Sequence, residues 1–551
     1  MANSLSFDYI VIGAGSAGCA MAARLSEDTN TSVLLLEAGG SDFNPLIHVP
    51  IGWGMLIRLG MNNWNFKSEP VKALGGRVLD CPRGKVMGGT SSINTMAYVR
   101  GNRQDYDRLA ERGIEGWTYE DVLPYFRKQE SWEGGETRYR GGSGPISTGT
   151  SKYTDEAIEA YADAVGQAGH SWVDDYNGLD QDGFSRMQLT LRNGRRCSSY
   201  RGYIKPARER RNLTVITHAQ VARITIEHGR ATGVEFIRGD IRTTANARRE
   251  VIVSAGAFNS PQILMLSGIG DADHLAAHGI ECKVDLKGVG QNLHDHYGVS
   301  IVFERHKPGP FHANMRADKA ALGFSRAYFT GGGFASELPG GITGFVRSEA
   351  SQKVPDLQLL FVGAPMDAHP WLPPFVKPYN DRFMTRVVMC RPEGRGSITL
   401  RSDDPFAAPI IDEAVLNTES DIRRLREGVK IFRDIGKQNA LTKHCTEIGP
   451  GLSKSTDQEI DDYIRNIVSL SYHPSGTCRM GPDSDMMNVV DSECRVHGVK
   501  GLRVVDASIF PEPIGGNINA PIIMAAELIA DRMRRAAEPD RKAVVQTSGS
   551  R

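Results

Sequence analysis

The sequence of 551 residues has no net charge, no long apolar run and no closely spaced pair of cysteines. Its 65 basic and 65 acidic side chains cancel, so no overall field attracts nucleic acid or an anionic membrane. No window reaches the roughly 18 apolar residues that a membrane-spanning helix needs. The N-terminal stretch has no basic region and glycines interrupt its apolar run, so no signal peptide is predicted. These absences predict a cytoplasmic protein that binds no nucleic acid, with peripheral contact at the inner face of the membrane left open.

The eight cysteines are scattered along the chain without a CxxC motif. This spacing argues against a disulfide framework or a zinc ribbon and is typical of a reducing compartment. The chain is also too long for one simple core, so two or three domain-sized units are expected.

The N-terminal segment has the pattern of a βαβ unit that binds a dinucleotide. A short buried strand at residues 7–12 precedes the glycine turn Gly13–Gly18, and an alanine-rich helical stretch follows. A second strand, residues 33–37, ends at Glu37. Glycines let the backbone approach a pyrophosphate, and the helix N-terminus attracts its negative charge. A carboxylate at Glu37 favours FAD or NAD over NADP, whereas the alternative is an ordinary glycine turn of an α/β protein.

Later segments alternate between strand and helix signals. Residues 212–255 alternate apolar and polar side chains and predict a small antiparallel sheet that leads into another buried strand. Residues 305–465 have mixed signals. The stretch LRVVDASIF, residues 502–510, predicts a buried strand, and a helix follows it. Residues 537–551 are polar and are expected to form a frayed tail.

The segment SYHPSGTCRMG, residues 471–481, places His473 before a proline and five residues ahead of Cys478. Taken alone, it allows a catalytic base, a structural hydrogen-bonding histidine or a metal ligand. No second His/Cys cluster has ligand spacing, so no metal site is predicted. The HDH stretch at residues 294–296 lies in a turn-like context, where a structural loop is favoured over a metal site.

Two stretches resemble the signature motifs of the glucose–methanol–choline (GMC) oxidoreductases: GKVMGGTSSINTMAYVRG, residues 84–101, and GAFNSPQILMLSGIG, residues 256–270. The first departs from the family pattern at Met87, where a β-branched residue or leucine is more usual. DYIVIGAGSAG, the HP stretch and VVDASIF with GGNINAP follow in the family's order, so the resemblance covers residues 7–535. NPLIHVPIG, RNGRRCSSYRGYIKPA and SYHPSGTCRMG make the chain most similar to the bacterial alcohol, sorbose and choline dehydrogenase branch.

The resemblance implies an α/β fold, α+β overall. A Rossmann-like FAD-binding domain would be assembled from discontinuous segments, and an antiparallel sheet flanked by helices would form the substrate domain over the flavin. The expected organisation is an N-terminal region with FAD-binding and inserted substrate-domain segments at 1–302, a mainly substrate-binding domain at 303–465, a C-terminal active-site and FAD-binding segment at 466–536, and the polar tail at 537–551.

The implied reaction is oxidation of a primary or secondary alcohol by FAD. It needs a base for the hydroxyl proton, a partner for the alkoxide oxygen and a carbon held against flavin N5. A neutral histidine can accept a proton at pH 7, and the family's HP histidine matches His473. The family's second active-site position falls on Asn517, whose amide can donate a hydrogen bond to a developing alkoxide.

The resemblance also assigns cofactor contacts. These residues are expected at the pyrophosphate, the adenosine, the flavin ring or the ribityl chain, although small residues at such points are also compatible with simple turns: Gly13, Gly15, Ser16, Gly18, Glu37, Ala38, Trp64, Gly88, Gly89, Asn94, Ala97, Val221, Asp506, Ala507 and Asn519. Some family members attach FAD covalently through a histidine just before the position of Asn94. Ile93 stands there in this chain and has no nucleophile, so non-covalent FAD is expected.

Choline-specific relatives hold the trimethylammonium group with a glutamate and aromatic rings. Glu337 falls near that glutamate in the resemblance, and a surface or structural role is an equal alternative. The leading function is an alcohol dehydrogenase that passes electrons to a quinone or a carrier protein. An O₂-using oxidase that releases H₂O₂, a hydroxynitrile lyase and a non-catalytic flavin-binding protein are the alternatives; the presence of both His473 and Asn517 disfavours the last.

Overall fold

The computed structural model describes the backbone of residues 5–548 and the side chains of residues 5–537. Fourteen strands form two large sheets. In chain order they are β1 Leu5–Ile12, β2 Val33–Leu36, β3 Gly183–Arg186, β4 Leu213–Ile216, β5 Gln220–Glu227, β6 Arg230–Arg238, β7 Ile241–Val253, β8 Tyr297–Arg305, β9 Gly340–Val346, β10 Leu357–Val362, β11 Arg382–Met389, β12 Cys445–Gly449, β13 Ser469–Leu470 and β14 Leu502–Val504.

The first sheet has the order β4-β2-β1-β7-β6-β5, and β14 pairs with β7. Strands β4, β2, β1, β7 and β14 run parallel to their neighbours, whereas β5, β6 and the first half of β7 form an antiparallel extension. The parallel strands are apolar on both faces, and Val33, Leu34 and Leu35 are fully buried. Helices cover both faces of such a sheet, which explains its continuous apolar runs.

The second sheet is antiparallel, with the order β12-β8-β11-β10-β9-β3, and β13 pairs with β8. The long helix Glu419–Gly436 packs against β11 and β8. Thr418 caps its first turn by accepting from Asp421 N, and Leu425, Val429 and Phe432 form its buried face. Because the other face of the sheet is turned toward the first sheet, the two sheets enclose the site described below.

The helices connect and cover the sheets. They are α1 Ser16–Leu25, α2 Pro45–His48, α3 Trp53–Arg58, α4 Arg103–Glu111, α5 Tyr119–Gln129, α6 Glu156–Gln167, α7 Lys205–Ala207, α8 Gly256–Leu266, α9 Ala272–Ala277, α10 Pro310–Asn314, α11 Ala317–Thr330, α12 Glu419–Gly436, α13 Asn439–Thr442, α14 Asp457–Ile467 and α15 Asn519–Ser548. Short strands outside the large sheets are Phe66–Lys67, Asp80–Cys81, Glu130–Trp132, Ile146–Thr150, Gln188–Leu189, Leu191–Arg192, Arg195–Arg196, Ile269–Gly270, Val284–Asp285, Ser397–Thr399 and Ile410–Asp412. No helix between residues 5 and 548 is long and apolar enough to cross a membrane.

The predicted fold class is confirmed: a Rossmann-like sheet is assembled from discontinuous segments, beside an antiparallel sheet with flanking helices. One strand differs from the prediction for residues 212–255. Strand β4 pairs in parallel with β2, so only β5 to β7 form the antiparallel part. Alternation predicts a strand but not its partner, which explains the difference. Helix α15 extends to Ser548, over most of the segment expected to fray, and residues 549–551 lie outside the described residues.

Candidate active site

A cavity of about 530 Å³ lies where the carboxyl ends of the parallel strands face the second sheet. Residues at or just beyond the ends of β1, β2, β7 and β14 line one side, and side chains of β8, β10 and β11 line the other. Ligands of open parallel sheets bind at this edge because the connecting loops leave a crevice there. The predicted site residues that line the cavity are Gly13, Gly15, Ser16, Glu37, Ala38, Trp64, Gly89, Asn94, Ala97, Val221, His473, Asp506, Ala507, Asn517 and Asn519.

The glycine turn leaves room for a ligand at the start of α1. Gly13 has φ +92°, and a Cβ there would meet Ser254 O at 2.6 Å. A Cβ on Gly89 would meet Gly15 Cα at 2.7 Å, so the second glycine-rich loop packs directly on the first. Gly15 is the N-cap of α1 and provides no side-chain cap, which leaves backbone N–H groups of the first turn available to a phosphate.

Two predicted glycines, Gly18 and Gly88, lie behind the cavity wall and do not line it. A Cβ on Gly18 would meet Gly13 O at 1.8 Å, so this glycine lets α1 pack against the turn. The N–H of Gly88 donates to Ala14 O at 2.7 Å and thereby joins the two glycine-rich loops. Their contribution is to shape the cavity.

Glu37 lies at the end of β2 with its side chain buried beside the glycine turn. Its carboxylate accepts from the N–H groups of Ala14 and Gly39, both at 2.8 Å. Burial raises the pKa of Glu37 to about 7, although these hydrogen bonds oppose the shift. Each carboxylate oxygen keeps a further lone pair for a ribose hydroxyl.

Side-chain contacts hold two further lining residues, Trp64 and Asn519. Trp64 stacks on Phe66 at 5.5 Å, and the Lys85 ammonium lies 4.1 Å from the Trp64 ring centroid. Asn519 accepts from the Ser16 hydroxyl at 2.7 Å and so joins the starts of α15 and α1. These contacts fix the walls of the nucleotide-side half of the cavity.

Asp506 anchors the start of helix α8. Its Oδ2 accepts from Gly256 N at 2.8 Å and from the Ser260 hydroxyl at 2.5 Å, and its Oδ1 accepts from Ser508 N at 2.9 Å. The carboxylate thus accepts from N–H groups at the start of α8 and at the start of the short turn Ala507–Ile509, where backbone donors lack a helical acceptor. The free N–H groups at the glycine turn, the Glu37 carboxylate and the Asp506 carboxylate together provide donors and acceptors that fit FAD.

Asn94 lies on the loop that follows the Gly89 turn. Its side-chain oxygen accepts from the Arg196 guanidinium at 2.8 Å, and Arg196 also donates to Ile47 O at 2.8 Å. Burial lowers the pKa of Arg196 to about 9. Ile93, just before Asn94, lines the cavity and is 2% exposed, so an apolar side chain occupies the position of the covalent attachment seen in some family members.

His473 projects into the other half of the cavity from a strained loop. Tyr472, the residue before it, has φ 67°, in the left-handed region that non-glycine residues seldom adopt. The His473 N–H donates to Asp295 Oδ1 at 2.7 Å, which fixes the backbone of this loop. His473 Nδ1 lies 3.0 Å from His296 Nδ1, and His473 Nε2 lies 3.0 Å from Asn517 Nδ2.

The hydrogen-bond directions around His473 follow from Gln358, which is fully buried on β10. Gln358 Nε2 donates to Asn517 Oδ1 at 3.3 Å, so Asn517 Nδ2 is turned toward His473 Nε2 and donates to it. His473 Nε2 is then the unprotonated nitrogen, and Nδ1–H donates to His296. Burial and the positive charges of Arg83 and Arg386 lower the pKa of His473 well below 6.5. The imidazole is therefore neutral at pH 7.

The HDH stretch, residues 294–296, holds the loop of His473 in place through hydrogen bonds. Asp295 binds the backbone of His473 and His296 binds its ring, whereas His294 Nδ1 binds Asn292 O at 3.0 Å. Within residues 5–537 no group of three or more His, Cys, Asp or Glu side chains is arranged to hold a metal ion. Cys478 is buried below the loop and does not line the cavity.

The second sheet brings a side chain to the site that no sequence motif marked. Arg386, on β11, lines the cavity beside His473. Glu337, the candidate substrate glutamate, does not line it; its carboxylate accepts from Lys152 N at 3.2 Å near the surface. Sequence reasoning also missed Gln358 and His296, and only His296 had a visible signal, its position in the HDH stretch.

Comparisons with known proteins agree with this geometry. A family model described as GMC oxidoreductase matches residues 7–298, and its C-terminal counterpart matches residues 392–526. An oxygen-dependent choline dehydrogenase of Brucella ovis is 42% identical over 536 residues, which cover 96% of this chain and 95% of the relative. The corresponding protein of Rhizobium etli is 41% identical over 534 residues, with the same coverage of both chains.

Solved structures give the same result. Pyridoxine 4-oxidase from Mesorbium loti has a TM-score of 0.85 and 29% identity, and the match covers 96% of this chain and 99% of that one. A variant of formate oxidase from Aspergillus oryzae, studied for its FAD modification, has a TM-score of 0.89 and 27% identity, with 98% and 100% coverage. This chain is therefore a member of the GMC oxidoreductase family, similar to choline dehydrogenases, and an FAD flavoenzyme that oxidises CH–OH groups.

Proposed function

We propose that the protein is an alcohol dehydrogenase that oxidises a primary or secondary alcohol to the carbonyl compound and passes the electrons to a quinone or another carrier. The observation that carries this proposal is the 3.0 Å contact between His473 Nε2 and Asn517 Nδ2 in the cavity that the glycine turn also lines. FAD, when bound, supplies the acceptor for the hydride that leaves the alcohol carbon.

His473 is the proposed base. Its Nε2 lone pair faces the cavity, and its Nδ1–H is held by His296, so the ring is in the tautomer that can accept the hydroxyl proton at Nε2. Gln358, which donates to Asn517 Oδ1, fixes the direction of this chain of hydrogen bonds. A neutral imidazole is required for this step, and the lowered pKa of His473 provides one at pH 7.

Asn517 is the proposed donor to the substrate oxygen. Its amide cannot take the hydroxyl proton, so it stabilises the developing alkoxide without competing with His473. Gln358 holds the amide in the required orientation through its oxygen. The proton acceptor, His473 Nε2, and the hydrogen-bond donor, Asn517 Nδ2, are thus neighbouring groups in the cavity.

A second candidate for the electron acceptor is O₂, with release of H₂O₂. The curated relatives carry the name oxygen-dependent choline dehydrogenase, and two structural neighbours are named oxidases. The lyase alternative has no comparable observation in its favour.

Purified holoenzyme mixed anaerobically with a series of primary and secondary alcohols tests the reaction. The expected result is bleaching of the oxidised flavin absorbance and formation of the carbonyl product in equal amounts. Steady-state rates with O₂ and with an artificial dye then separate the acceptors. Dye reduction much faster than peroxide formation supports a carrier, and equal rates support O₂. Absence of flavin reduction by every alcohol, with intact FAD, would refute the proposal.

A further inference from the structure

We propose that Arg386 makes the site selective for alcohols that carry a carboxylate and selects against quaternary ammonium alcohols such as choline. The inference rests on the proposed function, because it assigns a substrate class to the same cavity and the same reaction. Its basis is the positive charge at the end of the cavity that contains His473, which we call the substrate end.

The sheet register places Arg386 over the site. On β11, Met384 and Arg386 are two residues apart and so point to the same face. Arg386 pairs with Ser300 of β8 on one side and with Leu360 of β10 on the other. All four residues line the cavity, together with Val362. The substrate-facing surface of the sheet is thus apolar around one serine and one guanidinium.

The Arg386 guanidinium has only neutral partners. It donates to Ser469 Oγ at 3.1 Å, to Ser469 O at 2.8 Å and to Leu470 O at 3.2 Å. No described carboxylate lies within 4.0 Å of it. Several other buried arginines are paired with carboxylates, for example Arg305 with Asp155 and Arg433 with Glu447, whereas buried Arg196 also has only neutral partners. Buried charges are normally paired because burial without an opposite charge is costly. Arg386 has no salt bridge; the buried Asp295 acts on it only from beyond salt-bridge distance, so its positive charge is only partly offset beside the cavity.

A second guanidinium adds to the same field. Arg83 lines the cavity, donates to Tyr472 O at 2.6 Å and lies 5.8 Å from the Phe258 ring centroid. It also has no described carboxylate within salt-bridge distance. Both arginines bind the chain segment just before His473, Arg83 at Tyr472 O and Arg386 at Leu470 O, so both lie at the substrate end of the cavity.

The substrate end offers little to a cationic group. The carboxylates that line the cavity are Glu37 and Asp506, which lie at the nucleotide turn and the α8 start. Asp295 is behind the His473 backbone, and Glu337 is outside the cavity wall. The ring of Phe258 already lies under Arg83. A quaternary ammonium group would therefore meet two like charges without a lining carboxylate, whereas a carboxylate would meet the opposite charge of Arg386.

Three alcohols that share a hydroxyethyl chain test the proposal: 3-hydroxypropanoate, 3,3-dimethylbutan-1-ol and choline. Their other ends are anionic, neutral and cationic. For the wild-type holoenzyme, kcat/KM should fall in that order, with at least about tenfold between the first and the last, because opposite charges near a protein surface attract and like charges repel. Arg386→Gln should remove most of the difference, mainly through KM, and Arg386→Glu should reverse the order.

Arg382→Gln is the matched control. Arg382 is on the same strand and the same face as Arg386, but it pairs with Asp367 and does not line the cavity. The control should keep the wild-type order of the three alcohols. A change in the order equal to that of Arg386→Gln would show that the effect comes from general surface charge and would overturn the proposal.

Binding is measured separately from turnover by titrating holoenzyme with propanoate and following the visible spectrum of bound FAD. Propanoate should bind to wild type and at least about tenfold more weakly to Arg386→Gln. Equal binding to both, or a wild-type preference for choline over its neutral isostere, would overturn the selectivity while alcohol oxidation stands. If no alcohol reduces the flavin, the proposed function fails, and the propanoate titration still decides the role of Arg386.

Discussion

Asn517 Nδ2 donates to His473 Nε2 at 3.0 Å, within the cavity and across 44 residues of sequence. The bond uses the same lone pair that a substrate hydroxyl would need. A substrate hydroxyl that reacts here must therefore replace this bond. Its oxygen accepts from the Asn517 amide, and its proton is donated to His473 Nε2. Because His473 accepts the proton and Asn517 donates to the oxygen, substitution of each residue tests one of the two roles.

His473→Ala should lower the rate of flavin reduction by about 10²- to 10⁴-fold, because a positioned general base is lost. Asn517→Ala should lower it by about 10²- to 10³-fold, because the alkoxide loses a donor. Stopped-flow reduction under anaerobic conditions measures both. His306→Ala is the control. His306 is exposed and lies just after β8, so this variant should reduce its flavin at the wild-type rate. If His473→Ala also reduces at that rate with its FAD spectrum intact, His473 is a structural residue.

The pH dependence of flavin reduction reports the pKa of His473. Because burial, His296, Arg83 and Arg386 lower this pKa well below 6.5, the wild-type rate should stay level as the pH falls to 6.5 and drop only at lower pH. Removing one positive charge makes the imidazolium less unfavourable, so Arg386→Gln should move this acid limb to higher pH. His473→Ala should lack the limb. A wild-type limb centred above 6.5 would contradict the electrostatic argument.

His296 is expected to be a positioning residue that fixes the tautomer of His473. His296→Phe removes the acceptor for His473 Nδ1–H, so flavin reduction should slow by up to about 10²-fold, the lower end of what a positioned base contributes. His296→Asn places an acceptor oxygen near the former Nδ1 and should restore much of the rate. A purely packing role predicts the opposite ranking, with His296→Phe closer to wild type.

Gly89 should be required for FAD binding. A Cβ at this position would meet Gly15 Cα at 2.7 Å and would push the two glycine-rich loops apart. Gly89→Ala should therefore lower FAD affinity by roughly tenfold or more, since such overpacking costs about 1–3 kcal/mol. Gly75→Ala is the control: its φ is +66°, close to the +53° of Gly89, but no atom lies within 4 Å of its Cβ position. Equal FAD loss in both variants would assign the effect to backbone strain.

FAD should be released intact when the protein is denatured. Ile93 occupies the position before Asn94 and offers no nucleophile for a covalent bond. Acid precipitation of the holoenzyme should leave the yellow chromophore in the supernatant, where its absorbance gives the stoichiometry. Flavin that stays with the pellet after extensive washing would show a covalent link at another side chain.

The nucleotide half of the cavity could be predicted from local sequence patterns. The turn at Gly13 needs a left-handed backbone and close packing, so its physical requirements are local and visible in a short motif. Glu37 follows from the same βαβ spacing. The GMC family assignment and the FAD-binding fold are confirmed, whereas the catalytic roles of His473 and Asn517, predicted from motifs of that family, stay predictions. The domain boundaries at 302 and 465 stay predictions.

The substrate half of the cavity depends on how distant strands assemble and could not be predicted from the sequence. Arg386, Gln358 and Ser300 come from three strands whose pairing register places them on one face, and register depends on contacts between distant segments. Strand β11 contains two arginines, Arg382 and Arg386, and no periodic signal in the sequence tells which is the surface charge and which the cavity charge. Conversely, Glu337 was a candidate from its place in the sequence, but it is not among the residues that line the cavity. Local backbone chemistry is encoded in short motifs, whereas the charge of a cavity between two sheets depends on how both sheets are assembled.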